Sequence, residues 1–113
     1  MSWEMMSKYD IKSIAIIGSG KVANTLGSLF YENDIEVFAV SSRNNDTGIP
    51  LANKLNCHYT ENYLELQADL ILVATNDDSV IEIINSFPEK QFIAYTAGSI
   101  DLAEINHPNC GVF

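Results

Sequence analysis

The chain has 113 residues, 47% of them hydrophobic and 19% charged, with a net charge of −9. Length and balance predict one ordinary soluble globular domain, and no apolar run approaches the length of a bilayer span. So large an acidic excess argues against nucleic acid or an anionic membrane as partner.

The opening MSWEMMSKYDIK has neither a basic lead nor an apolar block, so it does not read as a secretory signal. It predicts a flexible extension over 1–12, ahead of a domain over 13–113. Cys57 and Cys110 suit a reduced, cytoplasmic chain better than a disulfide framework. A metal site is not expected. Cys57 with His58, and His107 with Cys110, lack a matching partner pair at zinc-site spacing.

The first strong pattern is IAIIGSGKVANTLGSLF, from Ile14 to Phe30. An apolar strand runs into Gly18-Ser19-Gly20-Lys21-Val22-Ala23, and Val22, Leu26, Leu29 and Phe30 then fall at helical spacing. Strand, turn and helix carry the G-x-G-x-x-A spacing of a dinucleotide-binding loop. Gly18 can take turn angles closed to other residues. Gly20 lets a pyrophosphate approach the backbone, and Ala23 lets the helix lie close to the strand. The free N–H groups and dipole of the helix favour phosphate. An ATPase-type phosphate loop is excluded, because Lys21 is followed by Val22 rather than Ser or Thr, and Ala15 stands where that motif needs glycine.

Glu32-Asn33-Asp34 ends the helix, with Asn33 suited to a left-handed cap. Ile35–Val40 reads as a second buried strand, leading into Ser41-Ser42-Arg43. An acid about 20 residues past the glycines would bind the 2′-hydroxyl of NAD, whereas an arginine nearby accommodates the 2′-phosphate of NADP. Serines occupy that place here and the sole arginine follows them, so Ser42 and Arg43 point to NADP rather than NAD.

A short helix is expected from Thr47, with Pro50 in its first turn and Leu51, Ala52 and Leu55 facing inward. Cys57–Thr60 reads as a third strand and Glu61–Gln67 as a helical turn or two. Ala68–Thr75 reads as a central strand, then Asn76-Asp77-Asp78-Ser79 and a helix over Val80–Ser86. Asp77 and Asp78 read as helix caps rather than an acid–base pair. Gln91–Thr96 is a fifth strand, a helical turn follows at Leu102–Ile105, and Cys110–Phe113 resembles a sixth strand just beginning. Thr75, Asn76, Thr96, Gly98 and Ser99 fall at carboxyl ends of strands, where a doubly wound sheet opens its ligand crevice. Fold class is therefore α/β: a doubly wound, mainly parallel Rossmann-type sheet of about six strands, helices on both faces.

The GSGKVA loop, SSRN after strand two, ATNDDSV after strand four and YTAGS after strand five together resemble a known group. They are similar to the amino-terminal domain of Rossmann-like NADP-dependent oxidoreductases. That group is related to pyrroline-5-carboxylate reductase, deazaflavin-dependent NADP oxidoreductases and the 6-phosphogluconate or β-hydroxyacid dehydrogenases. The resemblance implies NADP(H) held by Gly18, Ser19, Gly20, Lys21, Val22 and Ala23, with Ser42 and Arg43 at the 2′-phosphate. It implies that Thr75, Asn76, Thr96, Gly98 and Ser99 border the nicotinamide. Relatives carry a helical carboxyl-terminal domain for substrate and dimerisation, and the ending Gly111-Val112-Phe113 reads as an interrupted strand, as in a truncated piece of a longer enzyme.

The expected activity is hydride transfer to or from a small carbonyl, imine or deazaflavin acceptor, with a homodimer formed through that missing domain. No catalytic general acid stands out, so the isolated domain is expected to bind cofactor and turn over poorly. The alternative from another class is a non-catalytic NAD(P)-sensing module, which a downstream reading frame without a helical domain would favour.

Overall fold

The structure, a computed structural model, describes residues 11–75, 79–96 and 105–113, the side chain of Val112 excepted. Elements in order are β1 (Ser13–Ile17), α1 (Lys21–Glu32), β2 (Glu36–Ser41), α2 (Asn45–Lys54), β3 (His58–Thr60), a 3-10 turn (Tyr63–Glu65), β4 (Leu70–Val73), α3 (Ser79–Asn85), β5 (Phe92–Tyr95) and β6 (Cys110–Val112). The strands form one six-stranded sheet in the order β3-β2-β1-β4-β5-β6, parallel at every pairing. This is the α/β arrangement expected of a doubly wound Rossmann-type domain.

A parallel sheet covered on both faces needs apolar residues on both faces of its strands, and β1 and β4 supply them. Ile14, Ile16, Leu70 and Leu72 face a cluster with Ala23 and Phe30 of α1, Leu51 and Ala52 of α2 and its C-cap Leu55. Ala15, Ile17, Ile71 and Val73 face the opposite cluster, with Val80, Ile83, Ile84 and Phe87 around α3. Between Ile14 and Ala15 the register with β2 shifts, Val37 pairing with the first and Ala39 with the second. The extra residue, Phe38, is thereby left exposed, as a bulge requires.

Several local expectations are corrected. In α1 the buried residues are Ala23, Gly27 and Phe30, whereas Val22 and Leu29 are 47% and 40% exposed. The helix lies so close to its neighbours that a Cβ on Gly27 would stand 2.8 Å from Leu55 Cδ1 and 3.3 Å from Ile16 Cδ1. Two of its three buried residues are therefore small, with Phe30 the one large side chain among them. Asn33 is the C-cap at φ −103°, its amide Nδ2 donating to Leu29 O, while Asp34 takes the left-handed position at φ +60°. Ile35 N donates to Phe30 O and Asp34 N to Tyr31 O, which completes a Schellman closure.

Helix α2 starts at Asn45, not Thr47, because Asn44 caps it by accepting from Asp46 N at 2.9 Å. Pro50 consequently lies inside the helix. The 61–67 segment contracts to the single turn Tyr63–Glu65, which Asn62 caps through Leu64 N. β4 is shorter than its apolar run, since Asp69 accepts from Lys12 N and Ser13 N at the start of β1. Ile11 is 7% exposed and packs into the core. Residues 1–10 lie outside the described residues, as do the capping pair Asp77 and Asp78 and residues 102–104 of the expected helical turn.

Candidate functional site

Where β1 lies between β2 on one side and β4 on the other, the carboxyl ends of the strands border a cavity of about 580 Å³. Ligand pockets commonly fall in the range of ~300–1,000 Å³. Four successive strand-end loops line it: Gly18–Val22 after β1, Ser41–Asn44 after β2, Glu61 and Tyr63 after β3, and Ala74 and Thr75 after β4, with Ser79, Glu82 and Ile83 of α3 closing the wall.

The glycine loop is built by backbone constraint. Gly18 sits at φ +122°, its N–H donating to Ser41 O at 2.8 Å, and a Cβ there would stand 2.9 Å from Ala74 O. Only glycine permits that turn against the β4 backbone. Gly20 is the N-cap of α1 and gives it no side-chain cap, and a Cβ built on it would find nothing within 4 Å. The helical ladder starts with Asn24 N donating to Gly20 O at 3.0 Å. The amides of Lys21, Val22 and Ala23 precede that ladder, and no acidic side chain occupies the first turn. An uncapped helix end facing open space is a ready anion site.

The second wall is a set of linked hydroxyls. Ser19 Oγ lies 2.7 Å from Ser42 Oγ and 2.6 Å from Thr47 Oγ1. Asn44 N donates to Ser42 Oγ, and Thr47 Oγ1 donates to Asn44 O. One proton arrangement satisfies all of these contacts, with Ser42 donating to Ser19, Ser19 to Thr47 and Thr47 to the Asn44 carbonyl. The loops after β1 and β2 are thereby locked together, with Arg43 exposed between them.

Of the residues singled out from sequence, Gly18, Ser19, Gly20, Lys21, Val22, Ser42, Arg43 and Thr75 line this one cavity. Ala23 is fully buried beneath it, in the helix–sheet contact. Thr75 Oγ1 is buried and, among the described residues, has no hydrogen-bond partner. Thr96 is not among the lining residues, and its N–H donates to Val73 O. Asn76, Gly98 and Ser99 lie outside the described residues.

Sequence reading missed Thr47, Glu61, Tyr63 and Glu82. Thr47 was hidden by the misplaced start of α2, and the others come from segments without a motif. Outside the cavity, His107 Nδ1 accepts from Asn109 N while Nε2 pairs with Pro88 O, a structural tie between loops. Among the described residues no group of three or more His, Cys, Asp or Glu could hold a metal, and no helix is long and apolar enough to cross a membrane.

Solved structures share this fold. A protein assigned as an NADP oxidoreductase from Bacteroides fragilis superposes with a TM-score of 0.78 at 28% identity, over 93% of this chain and 44% of that one. Pyrroline-5-carboxylate reductase from Coxiella burnetii gives 0.69 at 18% identity, over 80% and 37%. GenD2 of gentamicin A biosynthesis, solved in complex with NAD, gives 0.69 at 16%, over 74% and 26%. This chain thus spans less than half the length of each. No curated protein sequence matches it. Residues 13–98 match the family described as NADP oxidoreductase, coenzyme F420-dependent, and the chain belongs to that family.

Proposed function

We propose that this chain is the NADP(H)-binding domain of an oxidoreductase that transfers hydride to or from a small carbonyl, imine or deazaflavin acceptor. The observation that carries the reading is the uncapped N-terminus of α1, open above Gly20 and facing the Ser42–Arg43 loop across one cavity. A dinucleotide fits what the residues offer. Unfilled space above Gly20 suits a pyrophosphate, and the buried Thr75 hydroxyl, which has no partner among the described residues, is in need of a polar one.

Gly18, Ser19, Gly20, Lys21 and Val22 would hold the pyrophosphate, with Ala23 packing the helix beneath. The end of β2 offers serines and a guanidinium where a carboxylate would repel a 2′-phosphate, which favours NADP over NAD. In the hydroxyl network Ser42 Oγ already gives its one proton to Ser19 Oγ, so Arg43 is the principal donor to that phosphate. Thr75, with Asn76, Thr96, Gly98 and Ser99, is assigned to the nicotinamide side. The bound nicotinamide supplies the hydride chemistry; the chain's own residues bind it, orient it and exclude water from one face. No residue of the cavity is assigned as proton donor. The acceptor, a dimer contact and the catalytic acid are assigned to a further domain, and the setting is the reducing cytoplasm.

Titration calorimetry with NADPH and NADH, on the chain and on Arg43→Ala, tests the reading. Tighter binding of NADPH, lost in the variant, is the expected result. Equal or tighter binding of NADH would overturn the Arg43 assignment, and steady-state reductase turnover by this chain alone would overturn the division of labour between domains.

A further inference from the structure

Tyr59, on β3, does not line the cavity, yet its hydroxyl reaches the loop that does. It stands 2.7 Å from the carbonyl oxygen of Ser42 and 2.6 Å from Asn45 Oδ1. Asn45 in turn donates from Nδ2 to Glu61 Oε1 at 2.7 Å, and Glu61 lines the cavity. The Ser42 carbonyl belongs to the peptide that joins Ser42 to Arg43. Fixing that oxygen fixes the peptide plane and the place of Arg43 Cα at its edge, so that a second restraint beyond Arg43 sets the direction in which its side chain leaves the backbone. On the other side of Arg43, the Asn44 amide is held by Ser42 Oγ at 3.1 Å. Arg43 is therefore bracketed by two hydrogen bonds to its neighbours.

The rest of the surroundings keep the phenol in place. Gly48 of α2 lies so near the ring that a Cβ there would be 2.5 Å from Tyr59 Cε1 and 2.9 Å from Ser42 Cβ. Burial, and then the Glu61 carboxylate, raise the phenol above its ordinary range, so it stays protonated and donating at neutral pH. One proton faces two acceptors, the Ser42 carbonyl and Asn45 Oδ1, and the shared bond ties the end of β2 to the start of α2.

We infer that Tyr59 is a positioning residue for coenzyme selection, holding the Ser42–Arg43 peptide so that the guanidinium meets a 2′-phosphate. The inference rests on the NADP reading above and adds to it a residue outside the cavity. It separates from a purely structural role because only ligands bearing the 2′-phosphate sense the aim of Arg43. Residues that hold the pyrophosphate would be indifferent to it.

The test is Tyr59→Phe, which keeps the ring and its packing and deletes the hydroxyl. Affinities for NADPH and NADH, and for adenosine 2′,5′-bisphosphate and 5′-AMP, are measured by calorimetry on the chain and the variant, with thermal unfolding as the control for folding. The expected result is about fivefold weaker NADPH and 2′,5′-bisphosphate binding, in line with one hydrogen bond, with NADH and 5′-AMP within about twofold. Equal losses for all four ligands, or no loss for any, would overturn the inference while leaving the NADP reading intact. Failure of the unmodified chain to prefer NADPH would overturn both, so the two failures are told apart by the parent protein alone.

Discussion

The two motif glycines answer to different demands, and replacing each with alanine separates them. At Gly18 an added Cβ meets the Ala74 carbonyl at 2.9 Å, and φ is +122°. Backbone strain of that kind costs roughly 1–3 kcal/mol, and overpacking against an immovable strand adds about 1–3 kcal/mol. The loss of unfolded-state freedom returns only ~0.4–1 kcal/mol. A net destabilisation of about 3 kcal/mol follows, or a melting temperature some ~15 °C lower for a domain of this size. At Gly20 the same atom meets nothing within 4 Å and φ is −81°. There the poorer alanine N-cap costs about 0.5 kcal/mol and the unfolded-state term offsets it. Stability should stay within ~0.5 kcal/mol of the parent, while NADPH binding falls about tenfold or more because the methyl occupies the phosphate's space. Thermal unfolding followed by circular dichroism reads the first effect and titration calorimetry the second. The reasoning is refuted if Gly20→Ala unfolds as early as Gly18→Ala, or if Gly18→Ala melts within about 4 °C of the parent.

Two further outcomes concern parts remote from the cavity. Asp34 holds φ +60° at the carboxyl end of α1, where its negative charge also opposes the helix dipole. Asp34→Gly should stabilise the domain by about 0.5–1 kcal/mol in urea unfolding, and Asp34→Asn by less, since it removes only the charge; a lowered midpoint for both would contradict the Schellman assignment. Burial pushes both the Cys57 and the Cys110 thiols up to about 11 from an ordinary 9.0. The folded chain then holds these protons more tightly than the unfolded one. That stabilising contribution is whole below pH 9.0 and is lost as pH rises toward about 11. Alkylation rates of the native chain should accordingly still be climbing above pH 9.0, and a plateau at that pH would refute the burial effect.

What could be read from sequence is what is local. Strand, glycine loop and helix from Ile14 to Phe30 are contiguous, and their chemistry follows from spacing alone. The face of α1 was less legible, because hydrophobicity points to Val22 and Leu29 whereas the close approach to Leu55 and Ile16 selects Ala23 and Gly27. Proline preference misplaced the start of α2, where the Asn44 side chain overrides it. At the end of α1 the helix runs one residue further than composition suggests, which passes the left-handed position from Asn33 to Asp34. Hydroxyl contacts such as Ser19 with Ser42 and Thr47, or Tyr59 with the Ser42 carbonyl, join residues 17–28 positions apart. No short-range pattern announces them.

The pairing of β1 with β4 joins Ile14 to Leu70 and Ile17 to Val73, and it has a kinetic meaning. Nearly two-thirds of this chain must be made before the centre of the sheet can close, so loop-closure entropy is spent before the most buried strands meet. The cavity wall crosses that seam, with Gly18 on one side and Ala74 on the other. A partly folded chain therefore has no competent site, and cofactor binding reports only the finished fold. Any ligand that occupies the cavity acts as a thermodynamic latch, raising stability with the logarithm of its concentration and slowing the reopening of the β1–β4 seam.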